Sequence, residues 1–159
     1  MSILDGMIQS EVDPKALIGI LGPMAEKLFD AIASRSPYGE LIRQGHAPAD
    51  ILGLTKAHRD AIMMLGYRAM QAGNVQKARD VAAKLFVQYL ALDATCAKGH
   101  LRLGECFLTA QELERAASCF RVAEAEAERG NGDDNTRRRA EKLLAICEER
   151  IATASGQNA

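Results

Sequence analysis

The sequence has little of what β-sheets and aromatic-rich cores are built from. Aromatic residues make up 4% of the chain, and tryptophan is absent. Runs of β-branched residues are scarce, whereas Ala, Leu, Glu, Lys, Arg, Gln and Met dominate, which favours helices over strands. Hydrophobic residues at 48% and charged residues at 26% are typical of a globular chain that buries a core. We therefore predict an all-α fold.

The chain also lacks a large excess of charge of either sign. Its formal net charge is −1, so it has no broad positive field for nucleic acid. The one basic cluster, Arg137–Arg139, lies near Asp133, Asp134 and Glu141, which favours a solvated helix face with local ion pairs over a phosphate or RNA contact. The most apolar N-terminal stretch, residues 16–21, is short. We expect neither a signal peptide nor a membrane span.

Patterns that carry chemistry are missing as well. The four cysteines, Cys96, Cys106, Cys119 and Cys147, form no C-x-x-C pair, and no histidine lies at metal-ligand spacing from them. They are interpreted as small buried hydrophobic residues in a reducing cytoplasm. There is no H-E-x-x-H, no phosphate-binding Gly-Lys loop and no nucleophile elbow. We expect a non-enzyme without cofactor or metal.

Two segments of the sequence are similar to each other and align without gaps. Their shared landmarks are Leu65-Gly66 with Leu103-Gly104, and Ala78 with Ala116. A Leu-Gly step followed by an alanine hairpin is typical of tetratricopeptide repeats, in which the glycine lets two helices approach and the alanine lies opposite it. The copies are 38 residues apart, four more than the usual period. This predicts that the helix from Val75 to about Leu92 is one turn longer than usual.

The remaining segments are predicted to be helices and connectors around this pair. A helix begins at Asp13-Pro14 and reaches about Ala33, with a kink or break at Gly22-Pro23. Residues 34–39 read as a turn, and residues 45–54 as irregular, with one short helical turn after Asp50.

Thr55 is placed to cap the helix that enters the first repeat. A last helix from about Thr136 to Ile151 is expected to cap the repeats. Its predicted buried stripe is Ala140, Leu143, Leu144, Cys147 and Ile151. The predicted organisation is a helical segment and connector over 1–54, a repeat region with capping helix over 55–152, and a disordered tail over 153–159.

A binding surface is expected on the concave face, which the first helix of each hairpin lines. The positions predicted to be exposed there are Met63, Tyr67, Met70, Gln71, Lys98, Leu101, Glu105 and Leu108. Two methionines, a tyrosine and two leucines would give an adaptable apolar lining for an extended peptide segment. The alternative is that several of them pack against the N-terminal helix.

The run over residues 49–78 resembles the entry to the repeats of class II type III secretion chaperones. The matching residues are Leu52-Gly53-Leu54, Thr55, Leu65-Gly66-Tyr67, Gln71-Ala72-Gly73 and Ala78. Residues 99–144 resemble the final repeat and capping helix of that family. The family carries three repeats, whereas two align in this chain.

The resemblance implies a bacterial, cytoplasmic chaperone without nucleotide or catalytic cycle. Such a protein binds a hydrophobic translocator or export substrate and keeps it soluble before secretion. It also implies self-association through the N-terminal helix, here through Leu17, Ile20, Leu21, Met24 and Leu28. Whether that helix packs within its own chain or on a second copy stays open. The alternative functions are a tetratricopeptide scaffold that joins folded proteins and a regulatory protein that sequesters a transcription factor.

Overall fold

The computed structural model describes residues 14–33, 40–41, 43–71 and 75–156. The helices in these ranges are α1 (Pro14–Ala33), α2 (Pro48–Ile51), α3 (Lys56–Gln71), α4 (Val75–Leu92), α5 (Ala97–Thr109), α6 (Leu113–Glu126) and α7 (Asp134–Gly156). A π-helical segment, Ala127–Asn131, continues α6. No strand occurs within these described ranges, so the predicted all-α class is confirmed there.

The helices fall into two compact units. The first unit contains α1 to α4 and ends at Ala94, and the second begins at Thr95 and contains α5 to α7. The boundary predicted between residues 54 and 55 falls inside the first unit. The first unit therefore combines the N-terminal helix with the α3–α4 pair.

The N-terminal helix α1 packs on α4 of the same chain. Its bounds agree with the prediction, and because it continues through Pro23, the break that was predicted as an alternative to a kink is absent. Leu21 is fully buried. A methyl group on Gly22 would lie 3.1 Å from Nε2 of Gln88, which shows how closely α1 approaches α4. The turn predicted over residues 34–39 lies outside the described residues.

The connector and the start of α3 are ordered by local caps. The helical turn predicted after Asp50 begins earlier, at Pro48, because the fixed φ of proline suits the first turn of a helix. The predicted cap by Thr55 is confirmed, since its Oγ1 accepts a hydrogen bond from His58 N at 3.2 Å. His58 Nδ1 accepts from Thr55 N at 3.2 Å in return. This reciprocal pair has the form of a capping box in which histidine replaces glutamate.

An arginine joins the ends of three helices in the first unit. Arg59 forms ion pairs with Asp50 and with Asp93, the latter at 3.1 Å, and its Nε donates to the carbonyl of Leu54 at 3.2 Å. Asp93 is 7% exposed at its side chain and also accepts from the fully buried Tyr89 hydroxyl at 3.4 Å. The buried carboxylate is thus paired, as a buried charge requires.

In each unit a glycine of one helix lies against a phenylalanine of the next. A methyl group on Gly104 would lie 2.5 Å from Cε1 of Phe120 and 3.1 Å from Cβ of Cys119. A methyl group on Gly66 would overlap the ring of Phe86. The nearest neighbours of that position are thus Phe120 and Cys119, and Ala116, one helical turn before Phe120, is fully buried.

The bounds predicted for α4 are confirmed, since the helix begins at Val75, ends at Leu92 and has 18 residues.

The second unit has a core of its own. Its buried residues are Leu101, Ala116, Ala117, Phe120, Ala123, Ala140 and Cys147. The stripe predicted for α7 is confirmed, since Ala140 and Cys147 are buried and Leu143, Leu144 and Ile151 pack partly buried against them.

Both ends of α7 extend beyond the prediction. The helix begins at Asp134 because Asp133 Oδ1 accepts from Thr136 N at 2.6 Å and caps the first turn. It ends at Gly156. Residues 153–156, predicted as part of a disordered tail, are therefore helical, and residues 157–159 lie outside the described residues.

Candidate protein-binding surface

The outer face of α3 exposes apolar side chains. Met64 is 52% exposed and Tyr67 is 41% exposed, and Asp60 and Gln71 lie on the same face. These four positions follow the spacing i, i+4, i+7 and i+11, which is one stripe of a helix. The opposite side of α3 is buried and contains His58, Ile62, Met63, Gly66 and Ala69. We call Met64, Tyr67, Arg68 and Gln71 the α3 surface.

Only part of the predicted lining of α3 is exposed. Tyr67 and Gln71 are exposed and Met70 is half-buried, but Met63 is 4% exposed, so its predicted exposure is wrong. Successive helical residues point about 100° apart. Met63 therefore turns toward the buried side, and Met64 turns outward in its place.

Met64 was missed by the sequence analysis. The signal that could have found it is its spacing from Tyr67 and Gln71, which are three and seven residues later. Side chains at i and i+3 are neighbours on a helix surface.

The lining predicted on α5 is mostly covered within the second unit. Lys98 is exposed and Leu108 is half-buried, whereas Leu101 is 2% exposed and Glu105 is 8% exposed. The predicted exposure of Leu101 and Glu105 is therefore wrong. Leu101 and Leu108 pack with residues of α6 and α7 because the capping helix covers this side of α5.

Glu105 has a structural partner on each carboxylate oxygen. Oε2 lies 2.7 Å from Arg102 Nη1, and Oε1 lies 2.6 Å from Arg139 Nε on α7. The carboxylate side chain is 9% exposed. Both oxygens are engaged inside the unit, so Glu105 ties α5 to α7 and is not offered to a peptide.

The arginines of the basic cluster on α7 form ion pairs with acidic residues of the same helix, as predicted. Arg137 and Arg138 each pair with Asp134 at 2.8 Å, and Arg137 also lies 3.7 Å from Glu141. The hydrogen bond from Arg137 holds the pKa of Asp134 below its ordinary value.

The residues predicted for self-association are divided by their burial. Leu21 is fully buried by its own chain, so its assignment to a contact with a second copy is wrong. Ile20 and Met24 are half-buried, and the side chains of Leu17 and Leu28 lie outside the described residues. Within the chain, α1 packs on α4.

The four cysteines are free thiols that are buried or half-buried. Cys106 and Cys147 are buried, and Cys96 and Cys119 are half-buried. Burial raises the pKa of Cys119 to about 11, which keeps this thiol protonated at neutral pH. Cys96 Sγ accepts from Gly99 N at 3.3 Å and so caps α5. Among the described residues no three metal-ligating side chains come together.

A depression of about 310 Å³ lies in the second unit, between the start of α6 and the end of α7. It is lined by Gln111, Leu113, Glu114, Ile151, Ala154 and Ser155. The hydroxyl of Ser155 in this lining donates a hydrogen bond to the carbonyl of Ile151 at 3.0 Å, within its own helix.

Comparisons with protein families, with characterised proteins and with solved structures found no match to this chain. Within the described part of the chain, no helix combines the length and the apolar character needed to cross a membrane.

Proposed function

We propose that the chain is a tetratricopeptide-like protein that holds another polypeptide on the α3 surface. Support for the repeat architecture comes from its two helix pairs, α3–α4 and α5–α6, in which a glycine of the first helix contacts a phenylalanine of the second. Such hairpins bury one side against neighbours and present the other to partners.

The observation that carries the binding function is the exposure of Met64 and Tyr67 on one stripe of α3. An adaptable thioether beside an aromatic ring is suited to hydrophobic protein segments. We propose as the particular role a bacterial, cytoplasmic chaperone of a hydrophobic translocator or export substrate. The similarity of residues 49–78 to class II type III secretion chaperones supports this role.

Co-expression with hydrophobic export substrates encoded beside the gene tests the proposal. We expect one substrate to gain solubility and to co-purify with the chain. The double variant Met64→Ser, Tyr67→Ala should lose this effect while keeping its helical circular dichroism. Val122→Ser is the matched control because Val122 is a 40% exposed aliphatic residue of the other unit. If the Met64/Tyr67 double variant and Val122→Ser kept the substrate equally soluble, the α3 surface would not be the binding site.

A scaffold that binds a folded protein is the second candidate. The burial of Leu101 and Glu105 favours it, because the exposed site is then one helix face rather than a long lined groove. A scaffold would bind a structured partner and would leave an insoluble substrate insoluble. The same co-expression experiment therefore separates the two roles.

A further inference from the structure

The α3 surface carries one uncompensated positive charge. Arg68 is exposed, follows Met64 by one helical turn and lies in the last turn of α3. Within the described part of the chain it has no ion-pair or hydrogen-bond partner. The acid on the same face, Asp60, is already paired with Lys56 at 2.6 Å. A partner that covers this face must therefore either pair Arg68 or bury its charge at a cost.

The apolar part of the surface is local and helical in shape. The large hydrophobic residues that are exposed in the described ranges are Leu41, Leu52, Met64, Tyr67, Val87 and Val122. Of these, only Met64 and Tyr67 share a helix, and they are three residues apart. Met64 to Gln71 spans about 10 Å along the axis, which is two turns. A convex stripe of this length is matched by the side-chain ridges of a second helix.

We infer that the partner segment is an acidic amphipathic helix. Its apolar side chains pack on Met64 and Tyr67, and an Asp or Glu one turn away pairs with Arg68. Charge complementarity then decides which amphipathic helix binds, since apolar contacts alone accept many sequences. This inference rests on the proposed function, because it specifies the partner of the same surface.

A purely structural role for Arg68 makes a different prediction. A cation in the last turn of a helix interacts favourably with the helix dipole. In that case Arg68→Gln would lower the melting temperature and leave every binding preference unchanged. Binding and stability are therefore measured on the same variants.

Two synthetic helical peptides of about 16 residues test the inference, a length at which isolated helices become stable. Both have leucines at i, i+3 and i+7, and they differ only in flanking glutamates or lysines. The protein carries ¹³C-methyl methionine, so that the Met64 methyl reports contact. The Met63 methyl is the internal control because Met63 is 4% exposed.

We expect the glutamate peptide to shift the Met64 methyl resonance and to bind about fivefold more tightly than the lysine peptide at low salt, with the difference shrinking as salt is added. Arg68→Lys should keep this preference and Arg68→Glu should reverse it.

Three results would overturn the inference. Equal affinity of the two peptides, with the Met64 methyl still shifted, rejects the acidic partner and leaves the proposed protein-binding function standing. A glutamate preference that persists in Arg68→Glu rejects the role of Arg68. No shift of the Met64 methyl with either peptide rejects both the inference and the α3 surface.

Discussion

At the scale of single residues, His58 and Thr55 close the start of α3 by exchanging hydrogen bonds. Each of the two bonds satisfies a backbone N–H that the helix leaves without a partner. His58 is also 6% exposed, so its ring fills space as well as accepting a bond. A histidine at this position thus combines the cap with part of the packing.

We predict that His58→Ala lowers the free energy of unfolding by about 0.5–2 kcal/mol, the usual cost of losing a cap. His58→Gln should keep most of the stability, because glutamine accepts the same bond in a capping box. Thr55→Ala combined with His58→Ala should cost less than the sum of the single changes, since the bonds are coupled. Urea denaturation of the wild type, the three single variants (including Thr55→Ala) and the double variant measures these effects, and strict additivity would contradict the reciprocal cap.

Asp133 gives the second unit a pH-dependent cap. Hydrogen bonds from Thr136 hold the pKa of Asp133 below its ordinary value of 3.8. The folded chain therefore gains stability from the carboxylate above pH 3.8. That contribution is lost as the pH falls through the lower pKa of the folded state.

The variant Asp133→Asn keeps a cap but cannot titrate. We predict that the wild type is more stable than this variant at pH 7 and that the difference disappears below the folded pKa of Asp133. Denaturation of both chains at several pH values measures this difference in stability. All other carboxylates are the same in the two chains, so their contributions cancel in the difference. A difference that stays constant from pH 7 to pH 2 would show that the charge of Asp133 does not stabilise α7.

At the scale of helices, the packing of each pair depends on a missing side chain. Gly66 and Gly104 lie against Phe86 and Phe120, with no room for a methyl group. Gly19 in α1 has nothing within 4 Å of the place where its methyl group would be. Replacing glycine by alanine at Gly19 therefore measures the effect of helix propensity alone, whereas the same change at Gly66 or Gly104 also measures the effect on helix packing.

We predict that Gly19→Ala stabilises the chain by about 0.5–1 kcal/mol, because alanine is the better helix former. Gly66→Ala and Gly104→Ala should destabilise it, since overpacking costs about 1–3 kcal/mol and the gain in propensity offsets only part of that. The midpoints of urea unfolding report all three. If Gly104→Ala raised the midpoint as Gly19→Ala does, the close contact with Phe120 would be refuted.

At the scale of the whole molecule, the second unit has the contents of a small independent domain. Its core combines residues of α5, α6 and α7 only, including the fully buried Phe120. A chain of about 65 residues buries enough apolar surface for marginal stability.

We predict that a fragment of residues 95–159 is helical and unfolds cooperatively on heating. Phe120→Ala should abolish the transition, because large-to-small changes in a core cost about 3–5 kcal/mol. Val122→Ala is the control, since Val122 is 40% exposed. Circular dichroism measures both, and a fragment without a thermal transition would show that this core does not hold alone.

Local signals in the sequence were enough to predict most of the helices. Proline at the start of α1 and Thr55 as a cap each act within a few residues of where they appear. The 38-residue spacing between the two similar segments indicated the length of α4. At Gly22-Pro23, where a kink or a break was predicted, the break is absent, since α1 continues through Pro23 while packed on α4.

The sequence by itself determined the helical class and the spacing of the two similar pairs, because composition, caps and glycine positions are properties of short segments. It also indicated Tyr67 and Gln71, which lie on the outer stripe of α3. Only the tertiary structure decided that Met64 is exposed in place of Met63. Packing also decided that Leu101 belongs to the core and that Glu105 is held by Arg102 and Arg139. Exposure depends on which neighbouring helix covers each face, and that choice is made by contacts between residues far apart in the chain.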